Sequence, residues 1–418
     1  MGEFVVRGGR RLEGTLRVHG AKNAALPIMA AAVLASAPVT LEGVPKLRDV
    51  DVMIEVLRAL GAKVQWVDRT LVIDPSGIHQ YVIPAELMMK MRASIFVIGP
   101  LLAKFGHAVA MQPGGCSIGD RPIDIHIYGF RQIGADVTET EQGTRLDAVN
   151  LTGGAVHLSY PSVGATENLM MAAALIPGET RIRNAAMEPE IVDLAQFLEK
   201  LGATIRGAGT PDIRIVGRRE LHGATHSVIP DRIEAATFIL AASATGGHVV
   251  LENCIIEHLP GLVGRLRDLG VEIREGEGDR IEVNAPQAYR TMPVSLHTGP
   301  YPGFATDMQA QFMAFLLKVP GVHIISERVF ENRLGHAREL RRMGAQVMAD
   351  QRVALIYGGH ALHGATVRAL DLRAGAALVI AGLTADGQTV ITEREVIERG
   401  YEDLDARLNT LGADIDRR

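Results

Sequence analysis

The sequence is poor in cysteine and in aromatic residues. Its 418 residues include 2 cysteines and 1 tryptophan, and aromatic residues make up only 4% of the chain. Two distant cysteines exclude a disulfide framework, and the lack of a C-x-x-C motif excludes the zinc and redox sites that such motifs form. With so few aromatic rings, the core has to be built mainly from alanine, leucine, isoleucine, valine and methionine.

Positive charge and long apolar runs are also scarce. The formal net charge is -5, and no basic tract is present, which argues against a nucleic-acid partner. Apolar stretches such as AALPIMAAAVLA are shorter than the ~20 residues of a membrane span. The first residues lack the apolar region of a secretory signal. We therefore expect a cytoplasmic protein without membrane contact, and the length favours two or more domains.

One short phrase recurs six times, as in LRALGAKV and LEKLGATI. Its glycine follows a helix-like segment and precedes a strand-like one, and 68 to 74 residues separate successive copies: Gly61, Gly134, Gly202, Gly270, Gly344 and Gly412. Glycine accepts the left-handed conformation that often ends a helix. Solenoid repeats are usually shorter, about 20–50 residues. The pattern favours an α/β protein of six repeats, arranged as two lobes of three.

A second repeated element is rich in alanine, leucine and methionine. Segments such as ASIFVIGPLLA and DMQAQFMAFLL are apolar around most of a helix, which predicts buried helices. Polar residues precede them: Lys22, Asn23, Arg92, Ser162, Asp231, Arg232, Thr306, Asp307, Asp371 and Arg373. Aspartate or threonine there is often only a helix cap. Basic residues are disfavoured by the helix dipole, so their presence indicates a site for a ligand with several negative charges.

The stretch PGGCSIGDR, residues 113–121, places Cys116 in a glycine-rich turn near Arg121. A nearby positive charge favours the reactive thiolate, whereas Cys254 lies in the apolar run VVLENCII. The same stretch contains G-x-S-x-G, so a hydrolase using Ser117 and His126 is an alternative. That motif requires a preceding strand and a following buried helix, and the repeat pattern predicts an outer helix instead.

Seven segments in this order resemble the enolpyruvyl transferase family, and within it the UDP-N-acetylglucosamine 1-carboxyvinyltransferases: GAKNAALPIMAA, PGGCSIGDRPIDIHI, SVGATEN, TDMQAQF, FENRLGH, DLRAGA and RGYEDL. The resemblance implies an inside-out α/β barrel of two lobes, residues 22–229 and residues 1–21 with 230–418. It implies transfer of the enolpyruvyl group of phosphoenolpyruvate to the 3′-hydroxyl of UDP-N-acetylglucosamine, opening peptidoglycan synthesis. No cofactor, metal or obligate protein partner is implied.

The resemblance also implies roles for individual residues. Lys22, Arg121 and Arg399 would hold phosphoenolpyruvate, with Arg92 close by. Asn23 and Asp307 would contact the sugar, and Asp307 would accept the proton of its 3′-hydroxyl. Cys116 would donate a proton and react with the epoxide fosfomycin. The remaining substrate-binding residues would be Pro122, Ile123, Asp124, Ser162, Val163, Gly164, Val329, Asp371 and Arg373, with Arg121 also lining the nucleotide-sugar pocket.

Two other functions are compatible with this pattern. The related transferase acting on shikimate 3-phosphate shares the fold and the phosphoenolpyruvate site, but it lacks the cysteine loop. A non-catalytic ligand-binding member of the fold would not need Lys22, Cys116, Asp307 and Arg399 together. We therefore expect the nucleotide-sugar transferase.

Overall fold

The computed structural model describes residues 2–90, 92–110, 118–119, 123–141 and 143–418, and only the backbone of residues 89 and 92–94. These residues divide into two compact units. The terminal unit contains residues 2–19, 118–119 and 230–418, and the inner unit contains residues 20–110 and 123–229. Each unit has its own hydrophobic core, built mainly from aliphatic side chains as the composition predicts.

The strands are short, with three to six residues each. Those of the described residues are β1 (Glu3–Arg7), β2 (Glu13–Arg17), β3 (Val39–Glu42), β4 (Lys63–Val67), β5 (Thr70–Asp74), β6 (His107–Ala110), β7 (Asp136–Thr140), β8 (Gly143–Asp147), β9 (Gly154–His157), β10 (Glu179–Arg183), β11 (Thr204–Arg206), β12 (Asp212–Val216), β13 (Thr225–Ser227), β14 (His248–Glu252), β15 (Glu272–Glu275), β16 (Ile281–Asn284), β17 (Ser295–His297), β18 (Gly321–Ser326), β19 (Gln346–Asp350), β20 (Val353–Gly358), β21 (Thr366–Arg368), β22 (Gln388–Thr392) and β23 (Asp414–Arg417).

The helices alternate with these strands along the chain. They are α1 (Lys22–Ala31), α2 (Arg48–Leu60), α3 (Ala85–Lys90), α4 (Ile98–Phe105), α5 (Asp124–Gln132), α6 (Val163–Ala173), α7 (Pro189–Lys200), α8 (Arg232–Thr245), α9 (Pro260–Asp268), α10 (Gln309–Leu316), α11 (His336–Arg342), α12 (Leu372–Thr384), α13 (Arg394–Ile397) and α14 (Leu404–Thr410). The α/β class predicted from the sequence is therefore confirmed.

Six open sheets form among the described residues, three in each unit, and none of them closes into a barrel. The terminal unit has the strand orders β21-β22-β1-β23, β15-β16-β14-β2 and β17-β18-β20-β19. The inner unit has the orders β13-β3-β5-β4, β11-β12-β10-β9 and β6-β8-β7. Each four-stranded sheet has one parallel pair at an edge, such as β17 with β18, and antiparallel pairs elsewhere.

The six recurring glycines lie just after six helices, namely α2, α5, α7, α9, α11 and α14. All six have positive φ angles, between 86° and 114°. A side chain with a Cβ atom rarely adopts this conformation, which explains the glycine at each position. A strand begins two residues after each glycine, at β4, β7, β11, β15, β19 and β23. The predicted sequence of helix, left-handed glycine and strand is confirmed.

The apolar helices form the centre of each unit. In the terminal unit, α8, α10 and α12 pack against one another, and every residue of α8 except Thr245 is buried. In the inner unit, α6 packs against both α1 and α4. These helices are buried around their whole circumference, as the even spread of apolar residues in their sequences predicts.

Two of these segments begin differently from the prediction. Residues 92–97 form a 3₁₀ helix before α4, and Thr306–Met308 form a 3₁₀ turn before α10. At the first break, the backbone N–H of Gly99 donates to the side chain of Asn168 at 2.9 Å. Pro100 has no N–H to donate. Two successive residues therefore contribute no N–H to the regular α-helical ladder.

Candidate functional site

In the inner unit, Lys22 is the first residue of α1, and no described side chain caps that helix. Its Nζ atom lies 3.1 Å from Oδ2 of Asp49, which belongs to the first turn of α2. Both side chains are more than nine-tenths buried. An ammonium group at a helix N-terminus is disfavoured by the helix dipole. The carboxylate of Asp49 offsets this cost and fixes the position of the positive charge.

Three buried carboxyl groups lie near the starts of α6 and α7, the two helices that pack against α1. Glu167 is 1% exposed, and neither of its carboxyl oxygens has a hydrogen-bond partner among the described residues. Burial raises the pKa of Glu167 well above its usual value, and the charges of Glu190 and Glu188 add to the rise. Glu167 therefore carries its proton over a wider pH range than an exposed glutamate.

Replacing Glu167 with glutamine is expected to stabilise the chain at pH 8 by about 1–3 kcal/mol. Because the folded-state pKa is raised, the folded chain holds this proton more tightly than the unfolded chain. The stability contributed by Glu167 is complete below its unfolded pKa of about 4.3 and is lost as pH rises through the folded-state pKa. Urea unfolding at pH 5 and pH 8 measures the effect, which should shrink at pH 5.

The matched control is Glu199→Gln, a change of an exposed carboxyl group on α7. It should alter the free energy of unfolding little at either pH. An equal effect of Glu167→Gln at both pH values would contradict a proton-linked contribution from Glu167.

In the terminal unit, the carboxylate of Asp307 is held by two arginines. Its Oδ1 atom accepts a hydrogen bond from Nη2 of Arg333 at 2.6 Å, and its Oδ2 atom accepts one from Nη2 of Arg373 at 3.4 Å. The two arginine side chains are 4% and 1% exposed, whereas Asp307 is 26% exposed. The two guanidinium groups thus fix a carboxylate that solvent can still reach, as a general base requires.

Further polar residues hold this arrangement in place. Gln311 Nε2 donates to the backbone oxygen of Asp307 at 2.9 Å and to the hydroxyl of Tyr401 at 3.0 Å. The ring of Tyr401 lies 5.2 Å from the guanidinium of Arg373. Arg399 lies two residues before Tyr401 and is partly buried. The structure therefore brings Asp307 and Arg373, two predicted site residues, into contact.

Arg333 is the residue of this cluster that the sequence interpretation missed. It also donates to Oγ1 of Thr306 at 3.0 Å, and that hydroxyl donates to the fully buried carboxylate of Glu327 at 2.9 Å. The sequence contains one indication of its importance, since Arg333 lies in FENRLGH, one of the seven segments that resemble the family. Nothing in the spacing of residues connects position 333 with position 307, because the contact arises only from packing.

Some predicted site residues have a structural role in these helices. The carboxylate of Asp371 caps α12 by accepting from the N–H groups of Arg373 and Ala374, at 2.8 and 3.0 Å. Asp231 caps α8 in the same way. Ser162 caps α6 through Ala165 N–H at 3.3 Å. The capping alternative thus holds for these three residues.

The predicted nucleotide-sugar residues fall into separate groups. Ser162, Val163 and Gly164 are partly exposed at the start of α6, which packs against α5. Ile123 is buried and precedes the exposed Asp124, the first residue of α5. Val329 belongs to the terminal unit, where its N–H donates to Glu327 at 2.8 Å. Asn23 follows Lys22 in α1 and is partly exposed.

Several predicted site residues lie outside the described residues. These are Cys116, Arg121 and Pro122, together with Ser117 of the hydrolase alternative and the side chain of Arg92. The loop residues Ile118 and Gly119 are described. The carbonyl of Ile118 accepts from Asn332 N–H at 3.1 Å. Gly119 has φ +133°, and a Cβ atom there would lie 2.5 Å from the carboxyl carbon of Glu331. The carboxyl end of Glu331 can move, but residues with a Cβ atom rarely adopt this φ angle, which accounts for the third glycine of PGGCSIGDR.

The described residues contain neither a candidate metal site nor a candidate membrane-spanning helix. The part of the chain that the structure describes has no group of three or more His, Cys, Asp or Glu residues placed to hold a metal ion. Among the same residues, no helix is both long and apolar enough to cross a membrane.

Comparison with known proteins identifies the family. The sequence model of EPSP synthase (3-phosphoshikimate 1-carboxyvinyltransferase) matches residues 6–408. In structure, the chain is similar to the enolpyruvyl transferase NikO from Streptomyces tendae, with a TM-score of 0.89 and 28% identity over 100% of this chain and 98% of that one. The chain therefore belongs to the EPSP synthase family of enolpyruvyl transferases and has their α/β fold.

Individual relatives within this family indicate a particular reaction. A UDP-N-acetylglucosamine 1-carboxyvinyltransferase from Finegoldia magna is 49% identical over 416 residues, covering 99% of this chain and 98% of that protein. UDP-N-acetylglucosamine 1-carboxyvinyltransferase 2 from Carboxydothermus hydrogenoformans is 50% identical over 417 residues, covering 100% and 99%. Membership of this family argues against the alternative that the chain is a hydrolase with Ser117 as its nucleophile.

Proposed function

We propose that this chain transfers the enolpyruvyl group of phosphoenolpyruvate to the 3′-hydroxyl of UDP-N-acetylglucosamine and releases phosphate. The observation that carries the proposal is the partly exposed carboxylate of Asp307, held by Arg333 and Arg373. Two relatives named UDP-N-acetylglucosamine 1-carboxyvinyltransferase, which are 49% and 50% identical over their full length, support the choice of this sugar nucleotide as the acceptor. This reaction opens peptidoglycan synthesis, and its substrates are metabolites of the cytoplasm, where we place the protein.

The proposed chemistry has two steps. In the first, the 3′-oxygen bonds to C2 of phosphoenolpyruvate, Asp307 accepts the hydroxyl proton, and C3 receives a proton from Cys116. In the second, C3 returns a proton to the thiolate of Cys116, the bond from C2 to the phosphate oxygen breaks, the double bond re-forms, and the departing phosphate takes the proton held by Asp307. An acid and a base acting on different atoms of the substrates meet the need of the addition step.

Positive side chains would hold the phosphate and carboxylate of phosphoenolpyruvate. We assign this role to Lys22, Arg121 and Arg399, with Arg92 nearby. Fixed cations in a buried setting stabilise the charge that develops on the leaving phosphate. The ion pair of Lys22 with Asp49 supports the assignment, since it holds one such cation in a fixed position before substrate binds.

A further set of residues would bind the acceptor. We propose that Asn23 and Asp307 contact the sugar, and that Arg121, Pro122, Ile123, Asp124, Ser162, Val163, Gly164 and Val329 bind the nucleotide portion. Asp371 acts here through Arg373, whose helix it caps.

The repeat organisation is part of the same proposal. We infer that the six sheets represent six copies of one unit of about 70 residues, three in each lobe of an inside-out α/β barrel. The lobes would be residues 22–229 and residues 1–21 with 230–418. Three sheets in each unit, and a glycine-ended helix before one strand of every sheet, support this interpretation.

The test is phosphate release from phosphoenolpyruvate by the full chain, with UDP-N-acetylglucosamine and shikimate 3-phosphate supplied separately. We expect release with the nucleotide sugar and none with shikimate 3-phosphate. Release with shikimate 3-phosphate alone would identify the related transferase and overturn our assignment of the cysteine loop. No release with either acceptor would favour a non-catalytic binding protein.

A further inference from the structure

One sheet of the terminal unit has an apolar outer face. Four of the twelve exposed large hydrophobic residues in the described chain belong to β18, β19 and β20: Val322, Ile324, Met348 and Val353, which are 40–57% exposed. The half-buried side chains of Leu355 and Tyr357 lie on the same face. We call these six residues the apolar face.

The strand register places the six side chains side by side. Ile324 is opposite Leu355, which is in turn opposite Met348, and Val322 is opposite Tyr357. Directly opposed residues of antiparallel strands share one face of the sheet. The alternate residues, such as His323 and Ile356, are fully buried on the other face. The apolar face is thus continuous and points to solvent.

The corresponding faces of two other sheets carry polar residues. On β10 and β12, Arg181 is opposite Arg214, and Arg181 forms an ion pair with Asp212. On β14 and β16, His248 is opposite Asn284. A contiguous apolar patch on a soluble protein usually marks an interaction site. The apolar face is therefore a specific feature of this sheet rather than a general property of the fold.

We propose that the apolar face binds the same face of a second copy of this chain, sheet against sheet. Most soluble oligomers are homo-oligomers, and a two-fold dimer joins identical surfaces. Two sheets with aliphatic side chains pack face to face about 10 Å apart. A two-fold axis parallel to the strands lays Ile324 of one copy over Leu355 of the other, and Val322 over Tyr357.

The polar side chains at the rim match this arrangement. His297 and Asp350 are exposed at opposite ends of one row across the sheet, separated by Ser326 and Val353. The same two-fold axis reverses each row, so His297 of one copy faces Asp350 of the other. The rim thus offers two equivalent contacts between an imidazole and a carboxylate.

The size of the face sets the strength of the dimer. Three strands of five or six residues and one of three residues, spaced about 4.8 Å apart, present an area on the order of 300 Å². Even with its rim, this face is smaller than the roughly 800 Å² that a standard interface takes from each partner. We therefore expect a reversible dimer with a dissociation constant of about 1–100 μM. Because each chain has a net charge of -5, added salt should favour association.

Sedimentation velocity of the full chain over about 1–200 μM, at low and high salt, tests the proposal. Ile324→Glu should weaken dimerisation at least tenfold. The matched control is Val216→Glu on β12, because Ile324 and Val216 are each 40% exposed, and it should leave dimerisation unchanged. The melting temperature of each variant shows whether it folds.

A charge exchange tests the orientation of the two copies. His297→Glu and Asp350→Lys should each weaken the dimer, and the two changes together should restore it because each contact again pairs a hydrogen-bond donor with an acceptor. A chain that stays monomeric throughout the concentration range would overturn the proposal. So would a dimer that Ile324→Glu leaves intact.

Discussion

Replacing Asp307 with asparagine is expected to lower kcat for phosphate release by about 10²–10⁴-fold, the usual contribution of a general base. Asparagine keeps an oxygen that can accept from Arg333, but it cannot take the proton of the attacking hydroxyl. Because the substituted side chain is similar in size and a quarter exposed, the fold should be retained. Steady-state phosphate release with UDP-N-acetylglucosamine as acceptor measures the loss.

The control for this change is Asp268→Asn, which removes an exposed carboxyl group at the end of α9. It should leave kcat within about twofold of the parent value, since it touches no substrate in the proposed mechanism. Binding of the nucleotide sugar to Asp307→Asn, measured by calorimetry, separates lost chemistry from lost binding. A fall in kcat of less than tenfold would show that another group accepts the proton.

Treatment of the native chain with fosfomycin is expected to label Cys116 and to leave Cys254 unmodified. Cys254 is 3% exposed, and its pKa is raised to about 12, first by burial and then by the charge of Asp279. Relative to an ordinary thiol of pKa about 8.5, its thiolate population at neutral pH is lower by about three orders of magnitude. Peptide mapping by mass spectrometry identifies the labelled cysteine.

Raising the pH to 9 should leave Cys254 unlabelled, because that pH is still well below its folded-state pKa. A general alkylating reagent should modify both cysteines after the chain is unfolded in urea, which shows that folding alone protects Cys254. The variant Cys116→Ser should lose the fosfomycin label. Equal labelling of both cysteines in the native chain, or labelling of Cys254 alone, would contradict the assigned roles.

Much of the fold could be predicted from the sequence because the deciding interactions are local. A glycine after a helix meets the φ requirement of a left-handed position within a few residues of chain, and all six glycines have that conformation. Helix and strand periods are likewise set by neighbouring residues. The local pattern is incomplete where a distant group takes part: Asn168 accepts the N–H of Gly99 just after a 3₁₀ segment that stands where a regular helix was expected.

The tertiary structure alone decided how the site residues interact. Asp307 contacts Arg333 and Arg373, which are 26 and 66 residues away in the chain, and Lys22 contacts Asp49 across 27 residues. The sequence identified Asp307 and Lys22 as candidate site residues because each lies at the start of a predicted buried helix and within a segment that resembles the family. It could not show that Asp371 serves as a cap, that Arg333 supports Asp307, or that Glu167 is buried. Burial and long-range pairing depend on which elements pack together, and no short stretch of sequence contains that information.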